Sequence, residues 1–118
     1  MIISGDRQIS YSDIHARIAR AATGLRALGV QGGKPVGMML RNDFALFEVV
    51  AASAALGSPV VPINWHLKAD EVAYILTDSG ADTLVCHADL LPQIREGLPP
   101  AIKLLVVPRH RRSPPPMA

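Results

Sequence analysis

The stretch Ser58–Cys86, SPVVPINWHLKADEVAYILTDSGADTLVC, constrains the fold more than any other part of the chain. A short apolar run, Val60-Val61-Pro62-Ile63, leads into a polar loop, Asn64-Trp65-His66-Leu67-Lys68. Val72, Ile75 and Leu76 then recur at the spacing that puts them on one helical face. Gly80 ends that pattern before a second apolar run, Thr83-Leu84-Val85-Cys86. Strand, loop, helix and strand in such quick succession make one βαβ unit, with a right-handed crossover expected.

The segments on either side extend the same alternation. Ile2-Ile3 and Gln8-Ile9-Ser10 flank Gly5-Asp6-Arg7, a turn-forming group that predicts a small antiparallel hairpin. Ser10-Tyr11-Ser12-Asp13 fits a capping box, in which the Ser10 hydroxyl meets an early amide and Asp13 reaches back. The helix it opens carries Ile14, Ile18, Ala22, Leu25 and Leu28 on one stripe, and Gly29 is placed to take the left-handed conformation that ends it. Val36 to Leu40 lacks polar alternation, as expected of a strand covered on both faces. Asn42 or Asp43 is expected to cap a helix from Phe44 to Leu56 that is apolar nearly all round, which predicts an interior position, and Gly57 ends it. After Cys86, Asp89 is expected to begin a fourth helix using Leu90, Leu91 and Ile94, stopped before Pro99-Pro100. Ile102 to Val107 reads as a last buried strand. The expected fold class is therefore α/β, a mostly parallel sheet flanked by helices. Residues 1–108 form one domain, and 109–118, RHRRSPPPMA, a disordered basic and proline-rich tail.

Composition excludes several functions. Hydrophobic residues make up 49% and charged ones 19%, values of a folded globular chain. The net charge is +2, but Arg109, Arg111 and Arg112 supply three of the 12 basic groups; the body then carries 9 basic groups against 10 acidic. Basicity thus belongs to the tail, and without interleaved aromatics it predicts no nucleic-acid partner. The single cysteine, Cys86, cannot form an internal disulfide and reads as a buried, inert thiol. The Phe44–Leu56 run is too short to cross a bilayer and carries Glu48. With no N-terminal signal visible, a cytoplasmic protein is expected.

Few residues offer chemistry. Gly29-Val30-Gln31-Gly32-Gly33-Lys34 has the wrong glycine spacing for a phosphate loop and precedes a strand, so it reads as a helix-to-strand turn. His15, His66, His87 and His110 are scattered without metal-ligand spacing, and no metal site is expected. His15 is expected on a solvated helix side. His87 reads as an exposed loop residue, the alternative being a crevice at the carboxyl edge of the sheet. Asn64–Lys68 lies at that same edge: Trp65 reads as a hydrophobic lid, Lys68 as a solvated charge, and His66 is left open. Asp70 and Glu71 are explained by the dipole of a helix first turn rather than as a carboxylate pair. No catalytic residue is assigned.

Three segments resemble a known family: Ile9-Ser10-Tyr11-Ser12-Asp13-Ile14, Leu25-Arg26-Ala27-Leu28-Gly29-Val30 and Pro59-Val60-Val61-Pro62-Ile63-Asn64. Together with Ala69–Leu76 and Asp78-Ser79-Gly80-Ala81, they are similar to the N-terminal region of acyl- and aryl-CoA synthetases, members of the adenylate-forming (AMP-binding) superfamily. The similarity runs from about Ile2 to Val107. It implies a partial N-terminal lobe of an enzyme that activates a carboxylic acid with Mg2+ and ATP to an acyl-adenylate, then transfers the acyl group to coenzyme A, with fatty-acid metabolism as a setting. The family's Ser/Thr/Gly-rich phosphate loop, its adenine- and magnesium-binding motifs and its catalytic lysine lie downstream of the matched region. Gly33-Lys34-Pro35 stands where relatives usually have Gly-Asp-Arg. His66 stands where many have an arginine near the coenzyme A entrance, and is the one residue the resemblance carries over as cofactor-binding. The implied fragment is inactive alone, binds no cofactor itself, and ends as a truncation or frameshift would leave it. An association of copies through uncovered apolar surface is open. The alternatives are a free-standing α/β ligand-binding or receiver-like module, which needs a convergent group at the carboxyl edge, and a degenerate product without activity.

Overall fold

Helix ends and strand periods chosen by local sequence produce the observed elements almost one for one. The computed structural model describes residues 2–4, 7–41 and 44–108, with strand pairing alone described for 2–4 and 7–9. Strands β1 (Ile2–Ser4) and β2 (Arg7–Ile9) pair antiparallel, Ser4 opposite Arg7, as the hairpin reading requires. Helix α1 spans Tyr11–Ala27, and the Ser10 hydroxyl caps it by accepting the Asp13 N–H at 3.2 Å. Its far end closes with Gly29 at φ 92°, the Val30 N–H reaching back to the Leu25 carbonyl and the Gly29 N–H to Arg26. That closure is a Schellman motif, and it tucks Val30 and Leu25 into one apolar cluster. The expected turn at 5–6, the cap at Asn42 or Asp43 and the tail 109–118 lie outside the described residues.

Four further strands, β3 (Val36–Met39), β4 (Val60–Pro62), β5 (Thr83–His87) and β6 (Lys103–Val107), form an all-parallel sheet in the order β4-β3-β5-β6. Helices α2 (Phe44–Ala55) and α3 (Ala69–Ser79) make the crossovers, and a short α4 (Leu91–Ile94) with a 3₁₀ turn (Arg95–Gly97) precedes β6. Side chains of β3 alternate between layers. Val36, Met38 and Leu40 pack with Val85 against α1 and α2, while Met39 packs with Leu84 and Cys86 against α3 and α4.

The Ser58–Cys86 unit forms as expected from β4, α3 and β5, and β3 lies between its two parallel strands. Pro59 and Pro62 lack N–H donors, so β4 is suited to an edge, and β3, apolar on both faces, takes the middle. Two other expectations need correction. Helix α2 is not interior: Phe44, Ala45, Val49 and Ala52 are buried, but Phe47 stays 56% and Val50 46% exposed. It packs on one side of the sheet beside α1, and nothing among the described residues covers its outer side. Strand β6 is half-exposed because it closes the sheet with a free edge. No helix among the described residues is long and apolar enough to cross a membrane.

Candidate functional site

The strand order fixes where a site can form. From β3 the chain crosses to β4 on one side and then returns to β5 on the other, so β3 and β5 flank the point where the order reverses. In open α/β sheets ligands bind in the crevice outside the carboxyl ends of such strands. Here those ends deliver Arg41, just after β3, and His87 and Asp89, at and just after the end of β5.

His87 corrects the exposed-loop reading. It is the last residue of β5, paired with Val107 of β6, and only 1% exposed. Its Nδ1 accepts the backbone N–H of Arg41 at 3.0 Å, tying the two strand ends together. An accepting Nδ1 carries no proton, which leaves the ring's proton on Nε2. Asp89 does not cap a helix. Its Oδ2 accepts from Arg41 Nη2 at 2.8 Å and from Nε at 3.0 Å, and Leu90 precedes α4 instead.

The Asn64–Lys68 loop folds against this pair. The Arg41 guanidinium carbon lies 4.5 Å from the centre of the Trp65 ring, a cation–π contact. Trp65 in turn stacks on His66, with ring centres 3.7 Å apart and planes 30° off parallel. The Asn64 carboxamide oxygen accepts the His66 N–H at 2.9 Å, and Gln93 Nε2 donates to the Trp65 carbonyl at 2.8 Å. Trp65 therefore covers the Arg41 guanidinium rather than an apolar core, and His66 lies in the same cluster. Lys68 is exposed at the start of α3, where Glu71 accepts its N–H, so the acidic pair serves the helix terminus as expected. His15 lies exposed on α1, and His110 lies outside the described residues.

Sequence reasoning missed Arg41, Asp89 and Gln93 as members of this cluster. The available signal was positional: Arg41 directly follows one apolar run and Asp89 comes three residues after another, both at the carboxyl edge.

Cys86, fully buried on the same strand, has its thiol pushed up from 9.0 to about 11, first by burial and then by the negative charge of Asp89. Between pH 9 and 11 the unfolded chain gives up this proton while the folded chain keeps it, so that contribution to stability declines as pH rises through the window. The native chain at pH 8 should resist iodoacetamide and react fully in denaturant; prompt native alkylation would show an exposed thiol.

The residues present do not fit a nucleotide–metal site. Among the described residues no group of three His, Cys, Asp or Glu side chains is arranged to hold a metal ion, and Gly29–Lys34 is the turn between α1 and β3.

Comparison with known proteins gives a consistent placement. The family model for AMP-binding enzymes matches residues 1–115. A feruloyl-CoA synthase from an Amycolatopsis species is 35% identical over 107 residues, taking in 88% of this chain and 21% of that protein. The crystal structure of an anthranilate CoA ligase with anthranoyl-AMP superposes with a TM-score of 0.79 at 29% identity, over 87% of this chain and 20% of that one. The inhibitor-bound N-terminal domain of FACL13 from Mycobacterium tuberculosis gives a TM-score of 0.76 at 30% identity, over 86% of this chain and 27% of that one. The chain thus spans about a fifth to a quarter of the length of these relatives and matches their N-terminal region. Family model, sequence identity and fold similarity agree: this chain belongs to the AMP-binding enzyme family.

Proposed function

We propose that residues 1–108 serve as the opening part of the large domain of an acyl-CoA ligase. In such an enzyme a carboxylate oxygen attacks the α-phosphate of ATP and pyrophosphate leaves. The thiolate of coenzyme A then attacks the acyl carbon and AMP leaves. Adenylation replaces a poor leaving group by a good one, and Mg2+ supplies charge neutralisation at the phosphates when bound. The observation that carries this reading is the family match over nearly the whole chain, confined to the first part of far longer ligases.

This chain's own contribution is a rigid parallel sheet whose carboxyl edge presents His66 on the Trp65 platform toward the coenzyme A entrance. The exposed Phe47 and Val50 side of α2 supports the reading, because a contiguous apolar helix side is what a larger domain covers. The isolated chain holds no nucleotide and does not adenylate.

Two measurements test these statements separately. Replacing the matching segment of the feruloyl-CoA synthase by residues 1–108 should leave a folded chimera that still forms thioester, and a folded but inert chimera would remove the ligase reading. The 118-residue chain alone, given ATP, Mg2+ and a carboxylate, should exchange pyrophosphate into ATP no faster than buffer. Exchange above that level would overturn the inactivity.

A further inference from the structure

We propose that Arg41 is an oxyanion-binding residue at the mouth of the β3–β5 crevice, with the Asp89 carboxylate as a displaceable stand-in for the carboxylate or phosphate of a small ligand. Four observations converge on it. The guanidinium sits at the point where strand order reverses, the place such sheets keep for ligands. Its backbone is fixed by the N–H donated to His87, and its plane is backed by Trp65, so the fork is oriented before any ligand arrives. Both donated bonds go to one oxygen, Asp89 Oδ2, and Nη1 makes no hydrogen bond among the described residues, leaving a donor for a second oxygen. Finally, the pair is not sealed: the Arg41 and Asp89 side chains are 29% and 28% exposed. An ion pair reached by water to that degree holds its partner weakly, so an incoming anion can replace it.

The plain alternative is a tether that only pins two loops together. The two differ in what Asp89 does: a tether partner helps, whereas a stand-in competes. The proposal does not depend on the ligase reading, and it supplies the convergent group that a free-standing binding module needs.

Trp65, the one tryptophan of the chain, touches Arg41 and reports on it directly. The 118-residue protein is titrated with sodium pyrophosphate and, separately, with sodium acetate at constant ionic strength, following tryptophan emission. Asp89→Asn should respond saturably, at about fivefold lower anion concentration than the parent chain, the equivalent of roughly 1 kcal/mol for a competing exposed ion pair. Arg41→Gln should abolish the response, and Arg20→Gln, on the exposed side of α1, should leave it unchanged. A response to pyrophosphate alone identifies a phosphate ligand and a response to acetate alone a carboxylate; either upholds the site. Should Arg41→Gln fail to fold by circular dichroism, Arg41→Lys, which keeps charge but loses the fork, must respond more weakly. The proposal is overturned by silence of Asp89→Asn toward both anions, by equal midpoints for Asp89→Asn and the parent, by an undiminished response in the Arg41 variant that folds, or by loss of response in Arg20→Gln.

Discussion

Gly97→Ala should destabilise the chain by about 3 kcal/mol, the upper end of what overpacking a well-filled contact costs. An added Cβ at Gly97 would lie 2.3 Å from the Ala69 carbonyl oxygen, 2.7 Å from its carbonyl carbon and 3.0 Å from its Cβ. Two of those atoms are backbone in the first turn of α3, which its own hydrogen bonds hold in place. The 3₁₀ turn Arg95–Gly97 must therefore retreat, and it would carry α4 with it, uncovering Leu91 and Ile94. Urea titration should show the loss as a lower midpoint with an unchanged slope. In a thermal melt the same loss corresponds to roughly 12 °C for a chain of this size. A change below about 1 kcal/mol, within the ordinary effect of surface substitutions and small adjustments, would show that the turn is not seated against α3.

Gly37→Val should cost a comparable amount, about 3 kcal/mol, by a different route. Gly37 lies in the middle of β3, where an added Cβ would meet Leu76 Cδ2 at 2.7 Å, Leu84 Cδ1 at 3.3 Å and Ile63 Cδ1 at 3.5 Å. These are ends of flexible side chains, so a single methyl could be absorbed by small shifts. The two further methyls of valine could not, since Leu76, Leu84 and Ile63 are all buried in the same cluster. Interior packing near crystal density leaves them nowhere to move. The route has a distinctive signature: Leu76→Ala in the Gly37→Val background should restore stability instead of removing more. That coupling is expected to exceed about 1 kcal/mol, as for residues in direct contact. Strictly additive effects would place the strain elsewhere. Gly80 offers a useful contrast, because its φ of 75° is left-handed while nothing lies within 4 Å of an added Cβ. Alanine there should cost only the left-handed backbone penalty, about 1 kcal/mol.

That contrast divides the glycines by legibility. Gly29, Gly57 and Gly80 can be read as helix stops because Gly29 and Gly80 follow 3.6-period apolar patterns and Gly57 follows a long apolar run, and all three adopt positive φ. Gly37 and Gly97 carry no such local mark. One is small because α3 crosses above it, the other because the start of α3 passes beside it, and neither neighbour is close in sequence. The candidate cluster divides likewise. The loop Asn64–Lys68 was legible as an edge segment because it follows an apolar run. Its anchor was not: Arg41 and Asp89 are 48 positions apart, and only the pairing of β3 with β5 brings them within hydrogen-bond reach. His87 misled for the same reason. As the residue after an apolar run it reads as solvent-facing, yet it extends the strand by one pair against Val107 and is buried there.

By itself the sequence determined the order and type of the elements, the ends of α1, α2 and α3, and the parallel α/β class, because periodicity and turn chemistry act over a few residues. Its segment order also determined the family. Tertiary structure decided that β3 sits between β4 and β5, that one side of α2 stays uncovered, and that an arginine, an aspartate and a tryptophan meet at the reversal point. Those outcomes depend on which surfaces find each other across the chain, and a single sequence holds no periodic record of such meetings.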